Sequence, residues 1–114
     1  MMRLLLLICL SMLFLSSCRK DKAAAFNCTN EVSFTQEVQP LIDMNCSISG
    51  CHDVTAEGGY EFKDHATISS AIDKIVAAIN HESGTTPMPL GADKLSDSSL
   101  RIIVCWSSAG ALDN

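Results

Sequence analysis

The chain is short of features that several functional classes require. Its 114 residues contain eight Lys and Arg against thirteen Asp and Glu, which gives a net charge of −5. This deficit of basic residues argues against nucleic-acid binding, which selects positively charged surfaces. The acidic residues are scattered, so that no close pair forms an acid–base dyad. No alternation of polar and apolar residues predicts a strand, and no internal repeat is present.

A long hydrophobic run is also missing. The apolar stretch at residues 4–15 follows a basic head at Arg3 and is shorter than the roughly 20 residues that a membrane-spanning helix needs. It has the form of the apolar centre of a secretory signal. The next residues, LSSC at 15–18, resemble the lipobox of bacterial lipoproteins. We therefore expect a signal peptide over residues 1–17 and lipidation of Cys18.

Three expectations follow from a lipoprotein signal. The protein is exported to an oxidising compartment, where disulfides persist. Acyl chains tether it to a bacterial membrane, on the periplasmic or cell-surface side. Residues 18–31 then form the lipid anchor and tether, and residues 32–114 form one domain. The alternative is an ordinary signal peptide cut nearby, which leaves Cys18 as a free thiol.

The mature chain carries the three- and four-residue periodicity of helices, which predicts an all-α fold. The first helix starts near Ser33, whose spacing to Gln36 is that of a capping box, each side chain satisfying the other's backbone donor. Pro40 interrupts the hydrogen-bond ladder, so we expect a short turn and then a kinked or restarted helix that reaches about Cys46. The glycines in residues 47–63 predict a loop.

Two further helices are predicted downstream. Apolar side chains recur on one face over residues 64–80, which predicts the second helix. The third helix begins after Ser96, and Gly110 is its expected terminator. Between them, residues 81–95 contain the glycines and prolines of a loop. A domain of this size buries a limited core and often needs a disulfide, a metal or a cofactor.

Six cysteines stand in the sequence, and local chemistry distinguishes them. Cys9 leaves with the signal peptide, and Cys18 is the expected lipidation site. Four cysteines remain in the mature chain: Cys28, Cys46, Cys51 and Cys105. Four cysteines allow three disulfide pairings, so counting does not choose among them. Cys51 differs from the rest because His52 follows it directly.

The segment from Cys46 to His52 has the residues that covalent haem attachment needs. Two thiols can add to the two vinyl groups of a porphyrin, and a histidine next to the second thiol can bind the iron as an axial ligand. The common arrangement places two residues between the cysteines, whereas four separate Cys46 from Cys51. The extra residues can bulge outward, and Gly50 helps the loop to turn close to the ring. We expect haem c, with both cysteines as thioethers and His52 as proximal ligand.

The distal ligand is expected to be Met88, which stands between two prolines. Methionine sulfur is a soft ligand for haem iron, and Met/His ligation raises the reduction potential. The prolines stiffen the loop and lower the entropy cost of holding the sulfur in place. His65, His81 and Met44 are the alternative distal ligands, and a gap-filling core role is the alternative for Met88.

The mature chain resembles small single-haem cytochrome c domains of bacterial lipoproteins in three segments: SFTQEVQPLIDMNCSISGCHD, PMPLG and LSDSSLRIIVCWSSAGA. The resemblance spans roughly residues 32–112. It implies a small bundle of three to four helices around one covalently bound haem, with thioethers at Cys46 and Cys51, His52 proximal and Met88 distal. The spacing between the cysteines departs from the family pattern.

The family fold implies that the first and last helices cross and pack. A disulfide between Cys28, before the first helix, and Cys105, on the last, is then expected, and it would close a long loop. The alternative is two free thiols. Tyr60, Phe62 and Trp106 are expected to line the haem pocket or core. The Tyr60 hydroxyl or the Trp106 indole N–H could instead hydrogen-bond a haem propionate.

These residues favour an electron carrier over an enzyme, with redox proteins as partners and a role as an accessory subunit of an oxidoreductase left open. The main alternative is a haem-free structural or interaction lipoprotein, stapled by Cys46–Cys51 and Cys28–Cys105 disulfides. Another is a zinc site at Cys46, Cys51, His52 and one more histidine. The last is a haem sensor whose distal ligand leaves to admit a gas.

Overall fold

The computed structural model of the chain describes residues 26–114, so that the predicted signal peptide and Cys18 lie outside the described residues. Its elements are, in chain order, a π-helical turn (Phe34–Val38), α1 (Gln39–Asn45), a 3-10 turn (Glu57–Gly59), α2 (His65–Ser70), α3 (Ile72–Ile79) and α4 (Asp97–Ser108). No strand occurs in this part of the chain, which confirms the predicted all-α class. None of the helices within it is long and apolar enough to cross a bilayer.

The first helical segment begins at the predicted cap, but a different side chain completes that cap. The Ser33 hydroxyl accepts from the N–H of Gln36 at 3.3 Å. The side chain that accepts from the Ser33 N–H is Glu37, at 3.0 Å, so the predicted reciprocal role of Gln36 is wrong. The cause is the wider π-helical turn, in which Val38 N–H donates to the Ser33 carbonyl. Pro40 lies in the first turn of α1, where its missing N–H costs no helical bond.

The second predicted helix is two helices, α2 and α3, which meet at Ala71. The prediction of one continuous helix over residues 64–80 is therefore wrong. Ser69 and Ser70, at the end of α2, donate from their hydroxyls to helix carbonyls three residues earlier. Such back-bonding competes with the backbone ladder and bends helices, which explains the break.

The last helix ends at the predicted glycine. Ser96 caps its start through its hydroxyl oxygen, as expected. At its end Gly110 has φ +98°, a left-handed conformation that favours glycine. The N–H groups of Gly110 and Ala111 donate to the carbonyls of Ser107 and Trp106, which is the hydrogen-bond pattern of a Schellman motif.

The core lies where the π-helical turn, α3 and α4 meet. The ring centroids of Phe34 and Trp106 are 5.5 Å apart, so the first and last helical segments pack together as expected. Trp106 is buried, and its indole N–H donates to the carbonyl of Leu112 at 2.8 Å, which makes it a core aromatic. The buried apolar side chains are Val32, Phe34, Val38, Leu41, Ile42, Phe62, Ile68, Ala71, Ile75, Ile79, Leu100, Ile103, Cys105 and Trp106.

A disulfide joins Cys28 to Cys105 of α4, with the two Cα atoms 5.2 Å apart. Cys105 is buried in the core, whereas Cys28 is exposed. Phe26 packs against the core beside it. The last residues of the predicted tether are therefore tied to the helical domain.

Candidate functional site

Cys46, Cys51 and His52 lie in one turn at the C-terminal end of α1. Cys46 caps the helix, and its N–H donates to the carbonyl of Ile42 at 2.8 Å. The chain then turns back, so that the N–H of His52 donates to the carbonyl of Cys46 at 3.0 Å. Gly50 has φ +79°, in agreement with its predicted place in the turn. The four residues between the cysteines therefore form a closed loop, and the backbone of His52 returns to Cys46.

The imidazole of His52 is oriented by a backbone acceptor. Its Nδ1 lies 3.1 Å from the carbonyl oxygen of Tyr60. A carbonyl oxygen only accepts hydrogen bonds, so Nδ1 carries the proton of the neutral ring and the lone pair is at Nε2. This is the tautomer in which Nε2 can bind a metal ion.

The segment that provides this acceptor is itself tied to the cysteine loop. The N–H of Phe62 donates to the carbonyl of His52 at 2.9 Å, and the Ser47 hydroxyl donates to the carbonyl of Phe62 at 2.6 Å. The buried Phe62 ring lies 4.6 Å from the imidazole, centroid to centroid. Lys74 of α3 donates from Nζ to the Tyr60 hydroxyl at 2.6 Å. The orientation of His52 is thus set by a loop, a packed ring and a helix together.

Sequence reasoning missed this role of Tyr60 and Phe62. Both were expected as pocket or core aromatics, and Phe62 is a core aromatic. What positions His52, however, is the Tyr60 carbonyl and the Phe62 N–H. Both are backbone groups, and every residue type other than proline carries a carbonyl and an N–H. The only signal in the sequence was the spacing of eight residues between His52 and Tyr60, and it has no established meaning by itself.

The two thiols of the loop are free and half-buried. Burial raises the pKa of the Cys46 thiol to about 11, and repulsion between negative charges on Cys46 and Cys51 adds to the shift. Cys46 is therefore a neutral thiol at neutral pH. Of the two disulfides in the haem-free alternative, the structure contains the one from Cys28 to Cys105 and not the one across this loop.

Met88 lies half-buried in the loop after α3, and both of its backbone polar groups are engaged. Its N–H donates to the carbonyl of Ala78 at 3.1 Å, and its carbonyl oxygen lies 3.1 Å from Nε2 of His81. Farther along the loop, Lys94 donates from Nζ to the carbonyl of Asn80 at 3.0 Å. The backbone of the expected distal ligand is thus attached to the C-terminal end of α3.

The alternative distal ligands stand in different surroundings. The ring of His65 packs edge-on against Trp106, and its Nε2 lies 2.7 Å from the carbonyl oxygen of Ala111. Nε2 of His81 lies within hydrogen-bond distance of the Met88 carbonyl oxygen, inside the loop of residues 81–95, which we call the methionine loop. Met44 is on α1 with 71% of its surface exposed. Iron binding by either histidine through Nε2 would break a hydrogen bond, whereas binding by Nε2 of His52 would break none of those described above.

One surface depression, of about 320 Å³, adjoins the site and includes Tyr60, Glu61 and Thr67 in its lining. Neither thiol nor the His52 ring lines it, so it is not the place where these residues would hold a haem. Across residues 26–114, no group of three or more His, Cys, Asp and Glu side chains is arranged to hold a metal ion.

The chain matches no protein-family model, no curated protein and no solved structure.

Proposed function

We propose that the protein is an electron-transfer cytochrome of the c type, with one haem attached to Cys46 and Cys51 and a lipid anchor at Cys18. The observation that carries the proposal is the His52 imidazole, whose Nδ1 is bound to the Tyr60 carbonyl so that Nε2 keeps its lone pair. Histidines that bind metals commonly donate their other ring N–H to a carbonyl, which fixes the tautomer and the ring orientation. Two free thiols on the same turn supply the other groups that the proposal requires.

The donor set fits a covalently bound haem in its chemistry. Each thiol sulfur would form a bond to one carbon of a vinyl group and the thiol hydrogen would go to the other vinyl carbon, so that attachment would involve no net oxidation. When bound, haem supplies a one-electron couple at its iron. His52 would hold the iron from one side through Nε2. The buried Phe62 ring supports the imidazole and keeps it from turning away.

Met88 is the proposed ligand on the opposite side of the haem. Because its N–H and carbonyl are both hydrogen-bonded, the fold meets the entropy cost of fixing the Met88 backbone. With His52 and Met88 both holding the iron, external molecules would not readily reach it. This arrangement favours transfer of electrons to redox partner proteins over gas sensing or substrate conversion.

Replacing Met88 by alanine tests the distal assignment. In the haem-loaded protein, Met88→Ala is expected to abolish the charge-transfer band between sulfur and ferric iron and to lower the reduction potential. Absorption spectroscopy and a redox titration measure both. Met44→Ala is the matched control, since Met44 is exposed on α1 and its loss is expected to change neither quantity. An unchanged spectrum in Met88→Ala would move the distal role to His65, His81 or Met44.

Replacing Cys18 by alanine tests the anchor. Without the thiol no acyl chain can be attached, and we expect Cys18→Ala to move from the membrane fraction to the soluble fraction. Cell fractionation with immunodetection measures the change, and Cys9→Ala, within the predicted signal peptide, is the control that should remain membrane-bound. Continued membrane association of Cys18→Ala would show that another anchor exists.

Production of the full chain in a bacterium that matures c-type cytochromes tests the function as a whole. The proposal predicts a coloured protein whose haem stays attached on a denaturing gel, with iron and porphyrin in equal amounts. The Cys28–Cys105 disulfide is also compatible with the haem-free lipoprotein, which would be colourless and metal-free. Zinc without porphyrin would instead support a zinc site at the cysteine loop.

A further inference from the structure

We propose that His81 is a positioning residue that holds the backbone of Met88 in place, so that the methionine sulfur stays on the iron. This inference rests on the proposed His/Met ligation and adds a residue to it. His81 directly follows the Asn80 cap of α3, and its ring reaches across the loop to Met88. It would act through Met88 and would not itself bind the iron.

The contact that supports this role is a hydrogen bond at the ligand residue. Nε2 of His81 lies 3.1 Å from the carbonyl oxygen of Met88. The Met88 N–H is taken by the carbonyl of Ala78, also at 3.1 Å, which belongs to α3. The N–H of Met88 is therefore attached to α3, and its carbonyl is attached to the side chain of His81, which follows that helix in the chain. Loss of the His81 bond would leave the carbonyl side of Met88 free to move.

The backbone of His81 is arranged for this contact. His81 has φ +57°, a left-handed conformation that histidine adopts more often than most residues other than glycine. Such conformations persist where surrounding contacts hold them, and they are common at ligand-binding positions. The loop is held a second time at Lys94, whose Nζ donates to the carbonyl of Asn80. Of these two side chains, His81 is the one that hydrogen-bonds to Met88 itself.

The hydrogen bond does not depend on the charge of the imidazole. The Met88 carbonyl only accepts, so Nε2 must carry a proton, and it does so in one neutral tautomer and in the imidazolium. The same proton leaves Nε2 without a lone pair for iron. The contact therefore favours His81 as a neighbour of the ligand over binding of iron through its Nε2, since the sequence had left His81 open as an alternative distal ligand.

Titration of the ferric protein with imidazole measures how firmly Met88 is held. Imidazole binds iron only in molecules whose Met88 has detached, so its apparent affinity is proportional to the detached fraction. Loss of one neutral hydrogen bond is expected to raise that fraction, and hence the apparent affinity for imidazole, by roughly fivefold in His81→Ala. His81→Gly, which removes the side chain where glycine is favoured, separates the hydrogen bond from backbone strain and should give a similar increase.

Two further variants complete the test. His81→Gln places an amide N–H at a similar reach and is expected to restore an affinity close to that of the original protein. His65→Ala is the matched control, because it also removes a histidine bond to a carbonyl, that of Ala111, but away from the methionine loop. It is expected to lower stability without changing imidazole affinity. Equal affinities in the original protein, His81→Ala and His81→Gly would overturn the proposal.

Nitrogen NMR of the purified full chain in its reduced state gives a second readout that does not depend on iron ligation. Neutral His81 is expected as the Nε2–H tautomer, and an Nδ1–H tautomer would overturn the contact. This separates the two proposals. A chain with no haem would refute the cytochrome and the positioning role with it, even with His81 as the Nε2–H tautomer. A haem protein with unaltered imidazole affinities would refute the role of His81 alone.

Discussion

Cys51→Ala is expected to leave at most one thioether and to lose most of the covalent haem. Cys51 is the thiol beside His52, and in the proposed attachment its removal would take away one of the two bonds that place the porphyrin against the imidazole. Haem remaining after denaturation, measured per mole of exported protein by absorption, gives the yield. Normal covalent haem in this variant would contradict the assignment of the attachment site.

A variant at another residue of the loop between Cys46 and Cys51 shows whether a loss of covalent haem is specific to the thiol. Ser49→Ala lies in the same loop, is exposed, and makes none of the hydrogen bonds that hold His52. It is expected to retain full haem. Cys46→Ala should resemble Cys51→Ala in haem yield, because the proposal gives both sulfurs the same chemistry. A large difference between the two cysteine variants would show that one of them is not a point of attachment.

Cys28→Ala is expected to lower the free energy of unfolding by about 4 kcal/mol, because the disulfide to Cys105 constrains the unfolded chain over a long loop. The two cysteines are 77 residues apart in sequence. Since the free energy of unfolding of small domains is about 5–15 kcal/mol in total, a loss of this size removes a large share of the stability of the fold. Urea unfolding measures it, best in the Cys18→Ala background and at equal haem content.

Reduction supplies an internal control for the disulfide. A thiol reductant is expected to bring the parent protein to the stability of Cys28→Ala and to leave that variant unchanged. Cys28 is exposed, so its replacement by alanine removes little packing, whereas Cys105 is buried and its replacement would add a packing cost. Equal stability of oxidised parent and Cys28→Ala would show that the bond contributes nothing to the fold.

The helix ends that local chemistry determines were predictable from the sequence. Ser96 caps the start of α4 and Gly110 terminates it, as expected, because a side-chain cap and a left-handed glycine act within a single turn. The break at Ala71 was not predictable in the same way. The apolar periodicity continues across it, and the break depends on where the hydroxyls of Ser69 and Ser70 point.

In the candidate site, too, some features were predictable from the sequence and others were not. The two thiols and His52 stand out in the sequence because they are close together and chemically unusual. Their support does not, because it consists of the backbone of Tyr60 and Phe62, and main-chain groups leave no mark on residue identity. Side-chain chemistry therefore predicted what the site contains, and tertiary structure was needed to learn what orients it.

The central claim is that one porphyrin is bound covalently to Cys46 and Cys51 with His52 on its iron. The most direct measurement is the intact mass of the full chain, exported by a host that matures c-type cytochromes and freed of non-covalent ligands by denaturation. The account predicts a mature chain that carries the mass of one whole haem, with peptide fragments placing it on the segment from Cys46 to His52. A mass without haem, in a colourless and iron-free protein, would contradict it.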